Sequence, residues 1–102
     1  MKIQIRPRGL TLTKTQSARL MRDLEHVFAQ FGERIERVIV EVSPSEDSEV
    51  DGFKCCEIEV RMKPQVFKVE DCDTDVVVAI EHAARRVARS LQRALETGVV
   101  LR

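Results

Sequence analysis

The chain has no tryptophan and no tyrosine, and its only aromatic residues are four phenylalanines. That scarcity excludes a surface that reads single-stranded RNA by stacking bases on aromatic rings. Phe28, Phe31 and Phe67 fall on the apolar side of predicted elements and are needed inside. Long apolar runs are missing too. None approaches the roughly 20 residues that span a bilayer, so no transmembrane helix is expected. The start, MKIQIRPRG, alternates and lacks the continuous apolar region of a signal peptide. The expected location is the cytoplasm.

Cysteine is sparse. Cys55, Cys56 and Cys72 are odd in number and two are adjacent, which is no framework for a secreted disulfide fold. Neighbouring strand residues face opposite ways, so the Cys55 and Cys56 thiols diverge, and their spacing falls outside that of zinc sites. Cys56 reads as a small core residue, Cys55 as exposed and Cys72 as unpaired. No metal is expected. The two histidines, His26 and His82, lie on helix faces shared with arginines, poor surroundings for a base that must take up charge. No glycine-rich phosphate loop and no serine elbow occurs. The pattern predicts a protein that is not an enzyme, with no cofactor and no small-molecule substrate.

What is present is charge, balanced in sum and uneven in place. Seventeen basic and seventeen acidic residues give a formal net charge of zero. Yet Lys2, Arg6, Arg8, Lys14, Arg19 and Arg22 open the chain with no acid among residues 1–22, and residues 41–51 carry acids with no base. Local potential, not net charge, steers an anionic partner.

Periodicity supplies the elements. Ile3 and Ile5 alternate with polar residues as a strand that ends at Arg6-Pro7-Arg8-Gly9. A helix follows, opened by the capping-box pattern Thr13 to Gln16, with Leu20, Met21, Leu24, Val27, Phe28 and Phe31 as its buried stripe and Gly32 as its stop. Residues 37–42 predict a strand, residues 43–52 an acidic hairpin loop, residues 53–62 a strand and residues 65–70 a fourth. Residues 71–75 read as an acidic lead-in to a helix over 74–96, which Gly98 can end. The order β-α-β-β-β-α, with strands apolar on one side only, predicts an α+β fold: a four-stranded sheet with two helices packed on one face. Residues 1–98 form one domain in this reading, and 99–102 a short tail.

The helix over 74–96 has two faces. Val76, Ile80, Ala83, Ala84, Val87, Leu91, Ala94 and Leu95 form an apolar stripe. His82, Arg86, Arg89 and Arg93 recur at the same spacing on another face, with Arg85 beside them. Thr15, Arg19, Arg22 and His26 share a face of the first helix. The open sheet face, by contrast, carries mixed charge pairs. Any nucleic-acid contact is therefore expected from the helices and directed at phosphates.

At this point the segments resemble a family. KIQIRPRGLTLT is similar to the first strand and capped helix of the ribosome hibernation-promoting factors, also called ribosome-associated inhibitor or sigma-factor modulation proteins. FGERIERVIVEVS is similar to their helix end and second strand. VEDCDTDVVVAIEHAARRVARSLQR is similar to their fourth strand, acidic lead-in and basic second helix. VDGFKCCEIEVRM resembles a branch of small proteobacterial members. The family's usual aromatic in the second helix's first turn is replaced here by Val76 or Val77.

The resemblance implies binding to small-subunit rRNA in the decoding channel and inhibition of translation under stress. It carries the second-helix contacts onto Arg86, Arg89 and Arg93, with Arg85 as an additional base. Arg19 and Arg22 are assigned from their face of the first helix. A chain ending at Arg102 is expected to act as a short form, without the extra C-terminal domain of long members. Two other readings stand beside this one. In the first, the protein is an interaction module that regulates a transcription factor, with the acidic loop over 43–52 meeting a basic partner. In the second, it is a thiol switch at Cys55.

Overall fold

Alternating side chains at the start of the chain build its first strand. In a computed structural model that describes residues 1–46 and 51–98, β1 (Lys2–Pro7) turns Ile3 and Ile5 toward the core. Pro7 cannot donate, but the Arg8 N–H beyond it still reaches Val42 O at 2.8 Å.

The helix α1 covers Lys14–Phe28. Its expected capping box is formed: Thr13 Oγ1 accepts from the Gln16 N–H at 3.0 Å, and Gln16 Oε1 accepts from the Thr13 N–H at 2.9 Å. Thr13→Ala is expected to cost about 1 kcal/mol, measured as a lower urea midpoint at unchanged slope. The stop differs from expectation. α1 ends at Phe28 and tightens into a 3₁₀ segment, Ala29–Arg34, with Gly32 inside it at φ 57°. Three residues per turn put Phe28 and Phe31 on one side, and both are buried. Gly32 then turns the chain so that Ile35 enters the core as well.

Three more strands complete one sheet in the order β1-β2-β3-β4: β2 (Arg37–Pro44), β3 (Lys54–Arg61) and β4 (Val66–Asp73). β1 and β2 run parallel, which requires a long crossover, and α1 supplies it. The other pairs are antiparallel. Only the ends of the acidic hairpin loop fall within the described residues, where the Ser45 N–H donates to Phe53 O at 2.8 Å. Residues 47–50, and the tail expected over 99–102, lie outside them.

The second helix, α2 (Val76–Thr97), begins at Asp75, whose Oδ1 accepts from the Val77 N–H at 2.9 Å. It ends at Gly98 in the left-handed conformation, φ 74°, a cost-free position for a residue without Cβ. Val76, Ile80, Ala83, Ala84, Val87, Leu91 and Ala94 are buried as the spacing predicts, joined by Ala79 and Ala88. They meet Leu20, Leu24 and Phe28 of α1 and the inward valines of β2 in one core. The expected α+β architecture is the one observed. Among the described residues no helix is long and apolar enough to cross a membrane.

One expectation is overturned. Of the acids over 71–75 only Asp75 opens the helix, because β4 continues to Asp73 and stays paired with β3. That register sets Cys72 directly opposite Cys55, and the two form a disulfide across the outer face of the sheet. Cys72 is therefore not unpaired, and Cys55 is a half-buried bonded residue, not an exposed thiol. Cys56 is the buried core residue expected of it; burial first, and nearby Asp71, Glu57 and Glu70 next, push its thiol up to about 12.

The outer face carries charge pairs in register. Glu59 Oε2 accepts from Arg61 Nε at 2.5 Å, and Lys68 Nζ lies 3.4 Å from its other oxygen. The hydrogen bond from Arg61, helped by Lys68, holds the Glu59 carboxyl below its ordinary value of 4.5. The folded state thus resists protonation more than the unfolded chain does. The stability it adds is complete above the ordinary value and is lost as pH falls through the folded one. In Glu59→Gln the acid limb of a stability-against-pH curve is expected to flatten by less than about 1 kcal/mol, read from urea midpoints.

Candidate nucleic-acid interface

The arginines of α2 are placed by its apolar stripe. Burying Ala83, Ala84, Val87, Leu91 and Ala94 forces Arg85, Arg86, Arg89 and Arg93 to the solvent side. Tertiary packing then divides them. Arg86 leans toward the sheet, where its Nη1 donates to Glu70 O at 2.8 Å and to Asp71 Oδ2 at 2.9 Å. It clamps the middle of α2 to the end of β4. Only that one nitrogen is engaged, and the side chain keeps 53% exposure, so further guanidinium donors remain for another anion.

Arg85 leans the other way. It lies 3.9 Å from Glu81 one turn back, an exposed pair worth little. Its chain lines a groove of ≈ 430 Å³ between α1 and α2, opposite Arg22 and His26. A shallower continuation carries His26 and Arg85 onward to Arg89, Gln30 and Gln92. Gln92 Nε2 donates to Gln30 Oε1 at 2.9 Å and ties the far end of the groove together.

The two basic faces therefore meet as a seam along the helix–helix junction. Asp23 and Glu81 also line it and temper its potential. Among the described residues no acid pairs with Arg22, Arg89 or Arg93. Arg19 stands apart, 3.8 Å from Asp23 and outside the groove lining. Of the six arginines singled out in the sequence, Arg22, Arg85 and Arg89 share the seam. Arg93 continues the exposed stripe toward the C-terminal end of α2, and Arg86 lies at its sheet edge.

His26, four residues after Arg22 on the same face of α1, joins the groove lining, although the expected contact set is six arginines alone. Guanidinium forks spaced along a groove are suited to phosphate oxygens, which they can bind bidentately and without losing charge. Imidazole beside them adds a ring N–H donor.

The sheet's outer face offers no such arrangement. Glu41, Glu57 and Glu70 sit side by side across β2, β3 and β4, a row of like charges. Arg8 pairs with Glu41 at 2.6 Å. The helix side thus gathers donors in one groove, while this side mixes charge pairs with a row of carboxylates.

Comparison with known proteins bears on the fold. The fold matches a ribosomal subunit interface protein from Coxiella burnetii with a TM-score of 0.80 at 10% identity, over 94% of this chain and 99% of that one. It also matches the Protein Y N-terminal domain of Thermus thermophilus with a TM-score of 0.68 at 22% identity, over 90% of this chain and 93% of that one. No protein among the curated sequences matches the chain. Residues 3–97, however, fit a family model, and on that match the chain belongs to the sigma 54 modulation protein / S30EA ribosomal protein family, a family of non-enzymatic ribosome-associated factors.

Proposed function

We propose that the protein binds small-subunit rRNA in the decoding channel, in the cytoplasm, and inhibits translation under stress by occupying the path of mRNA and tRNA. The observation that carries this reading is the seam. Two helices of a net-neutral chain bring Arg22, Arg85 and Arg89 to one groove, and Arg93 extends the exposed stripe. Family membership, which implies association with the ribosome, supports rRNA as the source of the phosphates.

In this proposal Arg22, Arg85, Arg89 and Arg93 contact phosphates directly. Arg86 holds α2 to β4 while offering its remaining donors, and Arg19 contributes at the margin. Occlusion needs no chemistry from the protein, only a rigid body of the right charge. Contacts of this type release counterions, so affinity falls steeply as salt rises.

The test is sedimentation of the purified protein with small ribosomal subunits through sucrose gradients. Co-migration at low salt that is lost at high salt is the expected outcome. Absence of co-migration at low salt sinks the proposal.

A further inference from the structure

We propose that Cys55, Cys72 and Glu70 form a redox-gated site for a thiophilic divalent cation of the zinc class on the outer face of the sheet. The observation is their placement. Cys55 and Cys72 oppose one another across β3 and β4, and Glu70, two residues before Cys72, projects from the same face. One ligand atom from each lies within 4.8 Å of the other two. Tetrahedral zinc draws thiolate sulfur to about 2.3 Å and carboxylate oxygen to about 2.0–2.2 Å. Two of those atoms are the bonded sulfurs, so after reduction they must part to take separate ligand positions, which side-chain rotation at two directly facing cysteines allows.

The surroundings favour a cation. Glu57 stands opposite Glu70 and two residues after Cys55, and it has no ion pair among the described residues. Facing carboxylates repel one another, and a dication held beside them offsets that repulsion. Cys56 cannot substitute, since it is buried on the opposite face. Three protein ligands leave a fourth position for water.

The gate follows from the bond itself. In the disulfide neither sulfur is a thiolate, so the oxidised protein has no soft ligands to offer. A dithiol reductant opens the bond, passing two electrons and two protons to the cysteines and leaving as its own disulfide; a divalent cation then binds as the two thiols release two protons to solvent. A hydroperoxide reverses this. The two thiolates give up two electrons and join as the disulfide, the cation leaves, and the hydroperoxide takes the electrons with two protons to become an alcohol and water. Disulfide and metal thus exclude one another at one place in the fold.

Cobalt(II) serves as the probe, titrated into protein reduced with a phosphine and followed by absorption. The reduced wild type is expected to bind one equivalent, with a thiolate-to-cobalt charge-transfer band and the visible bands of tetrahedral cobalt, all displaced by zinc. The disulfide form, which has the same sequence and is folded, is expected to show neither. Cys72→Ser is expected to abolish the charge-transfer band and Cys56→Ala to leave it. Glu70→Gln is expected to weaken binding by at least about tenfold, the scale seen when even supporting residues are lost. Absence of the band in the reduced wild type, or its persistence in Cys72→Ser, overturns the site. Unchanged affinity in Glu70→Gln overturns the three-ligand geometry.

Discussion

Replacing Arg22 and Arg89 together by glutamate is expected to lower association with small ribosomal subunits by roughly 100-fold at low salt. Each hydrogen bond to a charged group is worth about 1.5–3 kcal/mol. Losing two costs about 3 kcal/mol at the least, and about 1.4 kcal/mol is a factor of ten. The salt dependence sharpens the test. Each phosphate contact contributes a slope of about 0.7–0.9 in log affinity against log salt, so the double variant is expected to show a slope shallower by nearly two. Arg22 and Arg89 come from different helices, and no acid among the described residues pairs with either, so their loss leaves no buried partner behind. A control with the same change in net charge is Lys2→Glu with Lys63→Glu, both exposed and away from the groove. That control is expected to retain association within a few-fold. Equal losses in both variants would show that bulk charge, not the seam, governs binding. An unchanged double variant would favour the alternative of a protein-interaction module.

Reduction of the Cys55–Cys72 disulfide is expected to cost about 3 kcal/mol of stability, the chain-entropy value for a loop of this size. The bridged residues are 17 apart in sequence, so the bond removes closure entropy from the unfolded chain. With a urea slope of about 1–3 kcal/mol per molar, the midpoint is expected to fall by roughly 1–3 M. The measurement is urea unfolding of one preparation with and without a phosphine reductant in metal-free buffer. Cys55→Ser with Cys72→Ser, insensitive to reductant, is expected to unfold near the reduced midpoint. A reduced protein as stable as the oxidised one would show that the strands are held by their ladder alone.

Much of the fold was legible because local spacing and tertiary burial agree. Ile3 and Ile5, the Thr13–Gln16 box, the stripe from Val76 to Ala94 and Gly98 each announce themselves within a few residues. β4 announced only its first half, through Phe67 and Val69. Its far half, Glu70 to Asp73, has the composition of a helix entrance, and no periodic apolar residue marks it as strand. Two things settle its conformation from a distance: the backbone ladder to β3, indifferent to side-chain polarity, and Arg86, 15 residues on, which answers the charge of Asp71. The cysteine pairing was hidden by the same misreading, since register exists only once the strand does. On α2 the arginine stripe was legible from its spacing. Its division was not, because which arginine leans to the sheet and which to α1 is decided by what α2 packs upon.

The Arg86–Asp71 clamp has a consequence for the free side of the sheet. β4 is a terminal strand, and a terminal strand offers unpaired backbone groups to any other chain that can lie alongside. Asp71 belongs to the inward-facing set of that strand, opposite core residue Cys56, and is tolerated there because it stays partly wet, with its side chain 24% exposed, and is bonded to an arginine. A further strand laid against β4 would cover both charges, and dehydrating an ion pair costs several kcal/mol per ion. The contact that fastens α2 to the sheet therefore also makes β4 a poor template for growth of the sheet into aggregates.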